Sequence, residues 1–128
     1  MTPTSSAPSR MSPVDVAQAQ SHLHSEFVRL GTKLAQTRAD SATDLRSTPA
    51  SGDSADVGDR TSQVEHDAAV FDHEQMLLQQ TGIALQRIQD GTYETCASCT
   101  NLIGAARLQA FPRATMCLDC RKRTERHR

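Results

Sequence analysis

The chain has 128 residues, a formal net charge of −1 and four aromatic side chains, none of them tryptophan. A chain of this length holds at most one domain with appendages, and so few large apolar groups exclude a globular core of ordinary size, which favours an elongated helical protein. No apolar run approaches the ~18 residues of a membrane span, and the N-terminus lacks the apolar core of a signal peptide. We therefore expect a cytoplasmic protein without membrane contact, in which thiols stay reduced.

The small net charge hides a separation of charge along the chain. Residues 40–75 carry nine acidic and two basic side chains, a net of −7, whereas residues 104–128 carry seven basic and two acidic side chains, a net of +5. Two separated poles favour a partner that meets each pole differently over a simple coating of nucleic acid.

The N-terminal part of the chain divides into a tail and a first helix. Residues 1–12 are rich in Pro, Ser and Thr without an apolar period, which predicts a disordered tail. From about Val14 the apolar residues recur at steps of three and four, which predicts one packed face of a helix. The members of this face are Val16, Gln20, Leu23, Phe27, Leu30 and Leu34.

A loop and a second helix follow. Residues 47–58 are rich in Pro, Gly and small polar residues and are interpreted as a loop. Ser62 with Glu65 three residues later forms a capping box that predicts the start of the second helix, and Asp90–Gly91 predicts its end. Its predicted apolar face comprises Val64, Ala68, Phe71, Gln75, Leu78, Gly82 and Leu85, widened towards the end by Met76, Leu77, Ile83, Ala84 and Ile88.

Each predicted helix has one apolar face that needs a partner. A short connection makes the two helices antiparallel, so we predict a coiled-coil hairpin over residues 13–90 with an acidic tip loop at about 43–61. At 1.5 Å per residue the hairpin would be roughly 40–45 Å long. The alternative is two unrelated surface helices of a larger bundle, for which the chain offers no further long helices.

All four cysteines lie in two C-x-x-C pairs separated by seventeen residues: Cys96, Cys99, Cys117 and Cys120. This spacing predicts a C4 zinc finger over residues 91–128 that binds one zinc ion and ends in a basic helix. Four protein ligands leave no position for substrate, so the zinc would be structural and its binding would drive folding of the finger. A disulfide framework or a thioredoxin-like redox pair is the weaker interpretation, since no βαβ pattern surrounds either pair.

Two further features bear on metal binding: the turn of the first knuckle and the histidines of the second helix. The residue after the second cysteine of such a knuckle is often glycine, whereas here it is Thr100 followed by Asn101. We expect local strain or a shifted turn there, without loss of the metal. His66 and His73 with neighbouring carboxylates make a second metal site conceivable, but solvated polar faces of a helical hairpin are the favoured explanation. The expected fold class is thus mainly α, an antiparallel coiled-coil hairpin with a small C-terminal C4 zinc finger and terminal helix.

The stretches "DVGDRTSQ", "ALQRIQDGTYETCASC" and "IGAARLQAFPRATMCLDC" resemble the TraR/DksA family of bacterial zinc-finger transcription regulators. The resemblance implies a monomer that binds RNA polymerase rather than a DNA sequence. In this family the hairpin enters the secondary channel of polymerase and places acidic tip residues near the catalytic centre. The family tip pattern, D-x-x-D-x-A, corresponds here to Asp56, Asp59 and Thr61, with threonine in place of alanine.

The resemblance also bears on a nucleotide co-regulator, (p)ppGpp, which some family members bind through basic residues near the finger. Phe111 replaces one of these cations, while Arg121 keeps a basic side chain, and loss of a cation disfavours phosphate binding. Arg121, Lys122 and Arg123 are the predicted contacts of the basic tail with the acidic rim of the polymerase channel.

Two other functions compete with that of a polymerase-binding regulator. A zinc-finger protein that binds nucleic acid through "RKRTERHR" is the alternative, but the basic run is short and no aromatic platform for bases accompanies it. An enzyme is disfavoured because the metal site is closed and the sequence offers neither a nucleophile–base pair nor a phosphate-cradling loop.

Overall fold

A computed structural model of the protein describes residues 7–47 and 54–126, with side chains described for residues 7–43 and 58–126. The described residues form two long and two short helices: α1 (Pro13–Ser47), α2 (Ser54–Asp90), α3 (Ala105–Ala110) and α4 (Leu118–Arg126). The chain divides into two compact units, of which unit 1 combines the residues up to Ser25 with those from Gln80 onward, and unit 2 comprises Glu26–Gln79. None of the helices described has the length and apolar character needed to cross a membrane.

Helix α1 begins at Pro13 and is capped by Ser12. Ser12 precedes Pro13, and its side-chain oxygen accepts a hydrogen bond from the backbone N–H of Asp15 at 3.1 Å. The carbonyl of Ser12 accepts the N–H of Val16 at 3.0 Å. Serine at the N-cap and proline at the first helical position are favourable, because the hydroxyl satisfies a free N–H and proline lacks one.

Helix α2 begins earlier than the sequence analysis predicted. It starts at Ser54 and already contains Ser62, so the helix start predicted from the capping box is wrong. Since α1 extends to Ser47, the predicted loop over 43–61 is also too wide, and the connection lies in residues 48–53, outside the described part. The start at Ser54 places Asp56 in the first turn of α2, where the helix dipole favours negative charge.

The predicted end of α2 is confirmed. The helix ends at Asp90, and Gly91 has a positive φ of 80°. The N–H of Thr92 donates to the carbonyl of Arg87 at 2.9 Å, and that of Gly91 donates to the carbonyl of Ile88 at 3.3 Å. These two hydrogen bonds form a Schellman motif, in which glycine adopts the left-handed conformation at little steric cost.

In unit 2 the two helices run antiparallel. Lys33 forms an ion pair with Glu74 at 3.1 Å, and the guanidinium of Arg38 lies 5.4 Å from the centre of the Phe71 ring. The later residue on α1 thus contacts the earlier residue on α2, as expected for the predicted antiparallel pairing. On α1, Leu30 is buried as predicted, whereas Phe27, which was predicted on the same face, is 39% exposed.

The apolar face predicted for α2 is correct only in part. Val64 is 65% exposed, and Ala68 is also exposed, although both were assigned to the packed face. The buried positions of the helix include Glu74 and Thr81, one residue before the predicted Gln75 and Gly82. Because both buried residues are polar, an apolar period does not reveal them.

The core of unit 1 joins the ends of α1 and α2 to the finger. Its fully or nearly buried members are Met11, Leu23, Ala84, Tyr93, Cys96, Ile103, Leu108 and Cys120. The presence of Met11 means that the prediction of a disordered tail over 1–12 is wrong for the residues next to α1. Residues 1–6 of that predicted tail lie outside the described residues.

Candidate metal centre and partner-binding residues

The first C-x-x-C pair lies in a small hairpin that follows α2. Thr95 and Leu102 form an isolated antiparallel bridge across it. The N–H of Cys96 donates to the carbonyl of Asn101 at 2.7 Å, and the N–H of Ile103 donates to the carbonyl of Glu94 at 2.8 Å. These hydrogen bonds hold the two arms of the hairpin together, so that both cysteines of the pair lie within the turn between them.

The turn of this first knuckle contains the strain expected from its sequence. Thr100 has a φ of 64°, and among the described residues no other non-glycine residue has a positive φ. The left-handed conformation falls on Thr100 itself and is not shifted to Asn101. A β-branched residue in this region costs roughly 1–3 kcal/mol, which the surrounding hydrogen bonds and the metal must offset.

The second C-x-x-C pair lies at the start of α4. Cys117 precedes the helix, and its carbonyl accepts the N–H of Arg121 at 3.0 Å. The N–H of Ala97 in the first knuckle donates to the carbonyl of Thr115 at 2.8 Å. This bond connects the two knuckles directly, so the backbone brings all four thiols to one place.

The geometry of the four thiols fits a zinc ion. The Sγ atoms of Cys96, Cys99, Cys117 and Cys120 lie within 4.8 Å of one another. The Sγ atoms of Cys99 and Cys117 are 3.7 Å apart. A tetrahedral zinc site with Zn–S distances of ~2.3 Å has S–S edges of roughly 3.8 Å, so four thiolates in this arrangement can bind one ion and fill its coordination sphere.

The pKa values of two of the four thiols are shifted in opposite directions. Burial opposes ionisation of Cys96, but backbone hydrogen bonds from Cys117, Cys99 and Ser98 outweigh burial and lower its pKa to about 6. The pKa of Cys120 is raised to about 12 by its hydrogen bond with Cys117 and by burial. The shifts are opposite because closely spaced thiols cannot all lose their protons unless a positive charge compensates them. A divalent metal supplies that charge.

A set of polar contacts that the sequence analysis missed holds the finger in unit 1. The hydroxyl of the buried Tyr93 donates to the carbonyl of Pro112 at 2.8 Å. The guanidinium of Arg87 donates to the carbonyls of Thr92 and Thr95 at the entrance of the first knuckle. The residues that make these contacts are far apart in the sequence and form no motif, so sequence spacing does not predict them.

Two further arginines tie the segment between the knuckles in place. Nε of Arg107 donates to the carbonyl of Met116 at 3.0 Å, immediately before the second cysteine pair. Nε of Arg113 donates to the hydroxyl of Thr81 at 2.7 Å, and Thr81 is fully buried on α2. Both arginines belong to the basic C-terminal segment, so part of that segment serves the fold of unit 1.

The predicted tip residues all fall within α2. Asp59 and Thr61 are exposed in the first two turns of the helix, and Asp56 lies three residues before Asp59. The side chain of Asp56 lies outside the described residues. Positions three apart on a helix lie on one face, so residues 56 and 59 occupy the same face of α2.

The predicted basic tail lies on α4. Arg121, Lys122 and Arg123 are exposed, and Arg121 forms an ion pair with Glu125 at 3.0 Å. Both partners of this pair are more than half exposed, so the pair adds little to stability and leaves the positive charge available.

Beside α4 lies an open cavity of about 740 Å³ in unit 1. Phe111 and Arg121, the two positions considered for a nucleotide, both line it, together with Arg107, Arg113 and Lys122. Phe111 is 60% exposed, and the guanidinium of Arg107 lies 5.6 Å from the centre of its ring. Apolar side chains such as Ile83, Met116 and Leu118 also line the cavity, so Phe111 belongs to a mixed apolar and basic lining.

The second metal site considered for His66 and His73 is not formed by the described residues. Within them, the only group of three or more potential metal ligands is the cysteine cluster. His66 and His73 are exposed on α2, as solvated polar residues of a helix face are.

Comparisons with known proteins agree with this geometry. Residues 91–126 match the family described as "Prokaryotic dksA/traR C4-type zinc finger". The chain is 40% identical over 76 residues to the "RNA polymerase-binding transcription factor DksA" of Caulobacter vibrioides, covering 56% of this chain and 53% of that protein. The protein of the same name from Escherichia coli K12 is 33% identical over 73 residues, covering 55% and 48%. The chain thus spans about half the length of the curated relatives it matches.

The likeness of fold extends further than the likeness of sequence. The structure of transcription factor DksA2 from Pseudomonas aeruginosa superposes with a TM-score of 0.71 at 24% identity, covering 91% of this chain and 87% of that one. The match confirms the predicted helical fold with its C-terminal finger. Together with the clustered thiols, the family match confirms the predicted structural zinc site. Residues 91–126 of this chain therefore match the C4-type zinc finger of the DksA/TraR family, and the resemblance predicted from the sequence is confirmed.

Proposed function

We propose that the chain is a transcription regulator that binds RNA polymerase and acts without catalysing a reaction itself. The observation that carries this proposal is the match to polymerase-binding factors over 76 residues, together with a finger whose four thiols are all engaged by one metal site. A closed zinc site has no open coordination position, so it favours a structural role over catalysis.

The proposed route of binding is the secondary channel of polymerase. The segment that connects α1 to α2, with the start of α2, would approach the catalytic centre and place Asp56 and Asp59 there. Two carboxylates on one helix face can alter the electrostatics of a magnesium-dependent site without contacting substrate as a catalyst. The exposure of Asp59 and Thr61 supports this role, since neither side chain is needed in a core.

The proposed role of α4 is to steer the complex. Its exposed Arg121, Lys122 and Arg123 would meet the acidic rim of the channel. Complementary rim charges act mainly on the association rate and on its salt dependence. Reversal of the three residues to Glu is expected to slow association with core polymerase.

The test of the tip compares two double variants with the same change of charge. Asp56→Asn with Asp59→Asn removes two negative charges at the start of α2. Asp67→Asn with Asp72→Asn removes two exposed charges further along the same helix and is the matched control. Binding to core polymerase and the lifetime of open complexes are measured for both, on a stable-RNA promoter and on a biosynthetic promoter.

Only the tip variant is expected to lose the effect on open-complex lifetime, and both variants are expected to bind polymerase. Thr61→Ala, which restores the family pattern, is expected to strengthen the effect if threonine hinders close approach. Full regulatory activity in the tip double variant would refute the role of the carboxylates. If the charge reversal on α4 instead abolished DNA binding and left polymerase binding unchanged, the nucleic-acid function would replace the one proposed.

A further inference from the structure

The segment before α1 makes contacts that none of the proposed functions uses. The carbonyl of Ser9 accepts a hydrogen bond from the N–H of Ala105 at 2.8 Å. The backbone N–H of Met11 donates to the carboxylate of Glu94. Met11 is only 7% exposed and belongs to the same buried cluster as Cys96 and Cys120. Residues 8–12 are therefore built into unit 1, far along the chain from the finger they contact.

These contacts reach both arms of the first knuckle. Glu94 lies two residues before Cys96, and its own carbonyl accepts the N–H of Ile103 from the other arm. Ala105 lies just beyond the second arm, at the start of α3. The segment thus holds the incoming arm through Glu94 and the outgoing arm through Ala105.

The close approach of the segment depends on a glycine. Gly104 has a φ of 107°, and a Cβ at this position would lie 3.3 Å from the Cβ of Pro8. The glycine therefore provides both the left-handed backbone and the space that Pro8 occupies. The conformation of Gly104 thus supports a specific contact with the N-terminal segment independently of the hydrogen bonds.

We propose that residues 8–12 form a clamp on the first zinc knuckle and that the finger retains its zinc more firmly because of this clamp. Release of a fully coordinated ion requires the knuckles to open, and the clamp opposes separation of the two arms that carry the first pair. The clamp consists of two hydrogen bonds, from the Ala105 N–H to the Ser9 carbonyl and from the Met11 N–H to Glu94, and of the buried Met11 side chain. Because so few contacts hold it, the segment can open locally at a low free-energy cost. Opening of the clamp precedes loss of the metal.

The clamp is tested by the rate at which the zinc-loaded full chain transfers its metal to excess chromogenic chelator. Met11→Ala removes the buried side chain and is expected to accelerate transfer by roughly tenfold or more. Val14→Ala is the matched control, because Val14 lies three residues further on and is 65% exposed. The control is expected to stay within about twofold of the unaltered chain.

A second variant and a second measurement separate the clamp from a general loss of folding. Glu94→Ala removes the acceptor of the Met11 N–H without opening the buried cluster, and it is expected to accelerate zinc transfer as well. Amide hydrogen exchange of Ala105 should speed up in both variants, while the Leu108 N–H, which donates to the carbonyl of Gly104 at 3.1 Å, should change less. If Met11→Ala fails to load zinc, Glu94→Ala decides the question. Zinc transfer within about twofold of the control in Glu94→Ala, with unchanged exchange at Ala105, would overturn the proposal.

Discussion

The helices of unit 2 and the finger of unit 1 bury different chemistry. In unit 2, Leu30 and Leu34 are buried on α1, but the buried position found on α2 is Glu74, which pairs with Lys33. In unit 1, apolar side chains surround two of the four thiols, and hydrogen bonds from arginine side chains tie the loops together. The helical pair thus depends on an apolar face interrupted by an ion pair, whereas the finger depends on a metal site.

This difference indicates how each region tolerates change. A helix pair loses stability in proportion to the buried side chain that is removed, because its other contacts persist. A small metal-bound unit loses its fold when a single ligand is lost, since metal binding provides most of its folding free energy. Substitutions in the two regions test this difference.

The largest effect is expected from Cys117→Ser. A hydroxyl is a poor zinc ligand, and structural zinc contributes an apparent ~10–16 kcal/mol in small zinc units, so the finger should lose both metal and fold. Metal analysis of protein purified under reducing conditions without chelators should give one zinc per unaltered chain and none in the variant. Ser98→Ala, within the same knuckle, is the control and should keep its zinc. A variant that retained a full equivalent of zinc would contradict the assigned site.

Leu30→Ala should affect unit 2 without affecting the metal. Leu30 is 1% exposed, and removal of a buried leucine side chain costs about 2–5 kcal/mol. Urea unfolding followed by helical circular dichroism should show the loss, while the zinc content stays at one per chain. Val28→Ala is the control on the same helix, since Val28 is 52% exposed. Loss of zinc from Leu30→Ala would show that the two regions do not depend on separate interactions.

Tyr93 makes the stability of the finger depend on pH in the alkaline range. Burial, with a smaller contribution from the charge of Glu94, raises the pKa of Tyr93 to about 12, above its ordinary value of about 10. A raised pKa means that the stabilisation is complete below pH ~10 and is lost as the pH rises towards 12, because the unfolded chain then ionises first. Tyr93→Phe removes this dependence and, by removing the hydrogen bond to Pro112, costs about 1 kcal/mol at neutral pH.

The measurement for Tyr93 is the denaturation midpoint of the zinc-loaded chain at pH 8 and at pH 11. The unaltered chain should lose stability between these values, and Tyr93→Phe should lose less. An equal loss in both proteins would assign the alkaline effect to other groups.

The smallest effect is a gain in stability from Thr100→Gly. Thr100 holds a left-handed backbone that glycine adopts without steric strain, so the change should stabilise the finger by roughly 1 kcal/mol. Ala97→Gly, in the same knuckle but at a position without positive φ, is the control and should destabilise. Both are read from the midpoint of unfolding of the zinc-loaded protein. A loss of stability in Thr100→Gly would show that the threonine side chain contributes more than its backbone strain costs.

The sequence predicted those parts of the fold that rest on local chemistry. Cysteine spacing predicted the zinc cluster, because two C-x-x-C turns impose their own geometry. Gly91 predicted the end of α2, because a Schellman motif needs a left-handed residue. The apolar face of α1 was likewise evident in the spacing of Leu23 and Leu30.

What the sequence did not predict depends on contacts between distant residues. Glu74 and Thr81 are buried because Lys33 and Arg113 provide their partners, and no apolar period marks such positions. Met11 lies in a Pro- and Ser-rich segment whose composition is typical of disorder, yet it packs against residues more than 80 positions away. The start of α2 was predicted too late because the Gly- and Ser-rich composition of residues 47–58 favours a loop and the capping box at Ser62 favours a later start.

The proposed function is tested most directly by competition for core RNA polymerase. Zinc-loaded chain, labelled at its C-terminus, is bound to core polymerase and challenged with an unrelated protein known to occupy the secondary channel. The account predicts that the challenger displaces the chain completely, with the concentration dependence of a single shared site. The Asp56→Asn, Asp59→Asn variant should be displaced in the same way, since the tip charges are proposed to act after binding. Simultaneous binding of the chain and the challenger, or no binding of the chain to polymerase at all, would contradict the account.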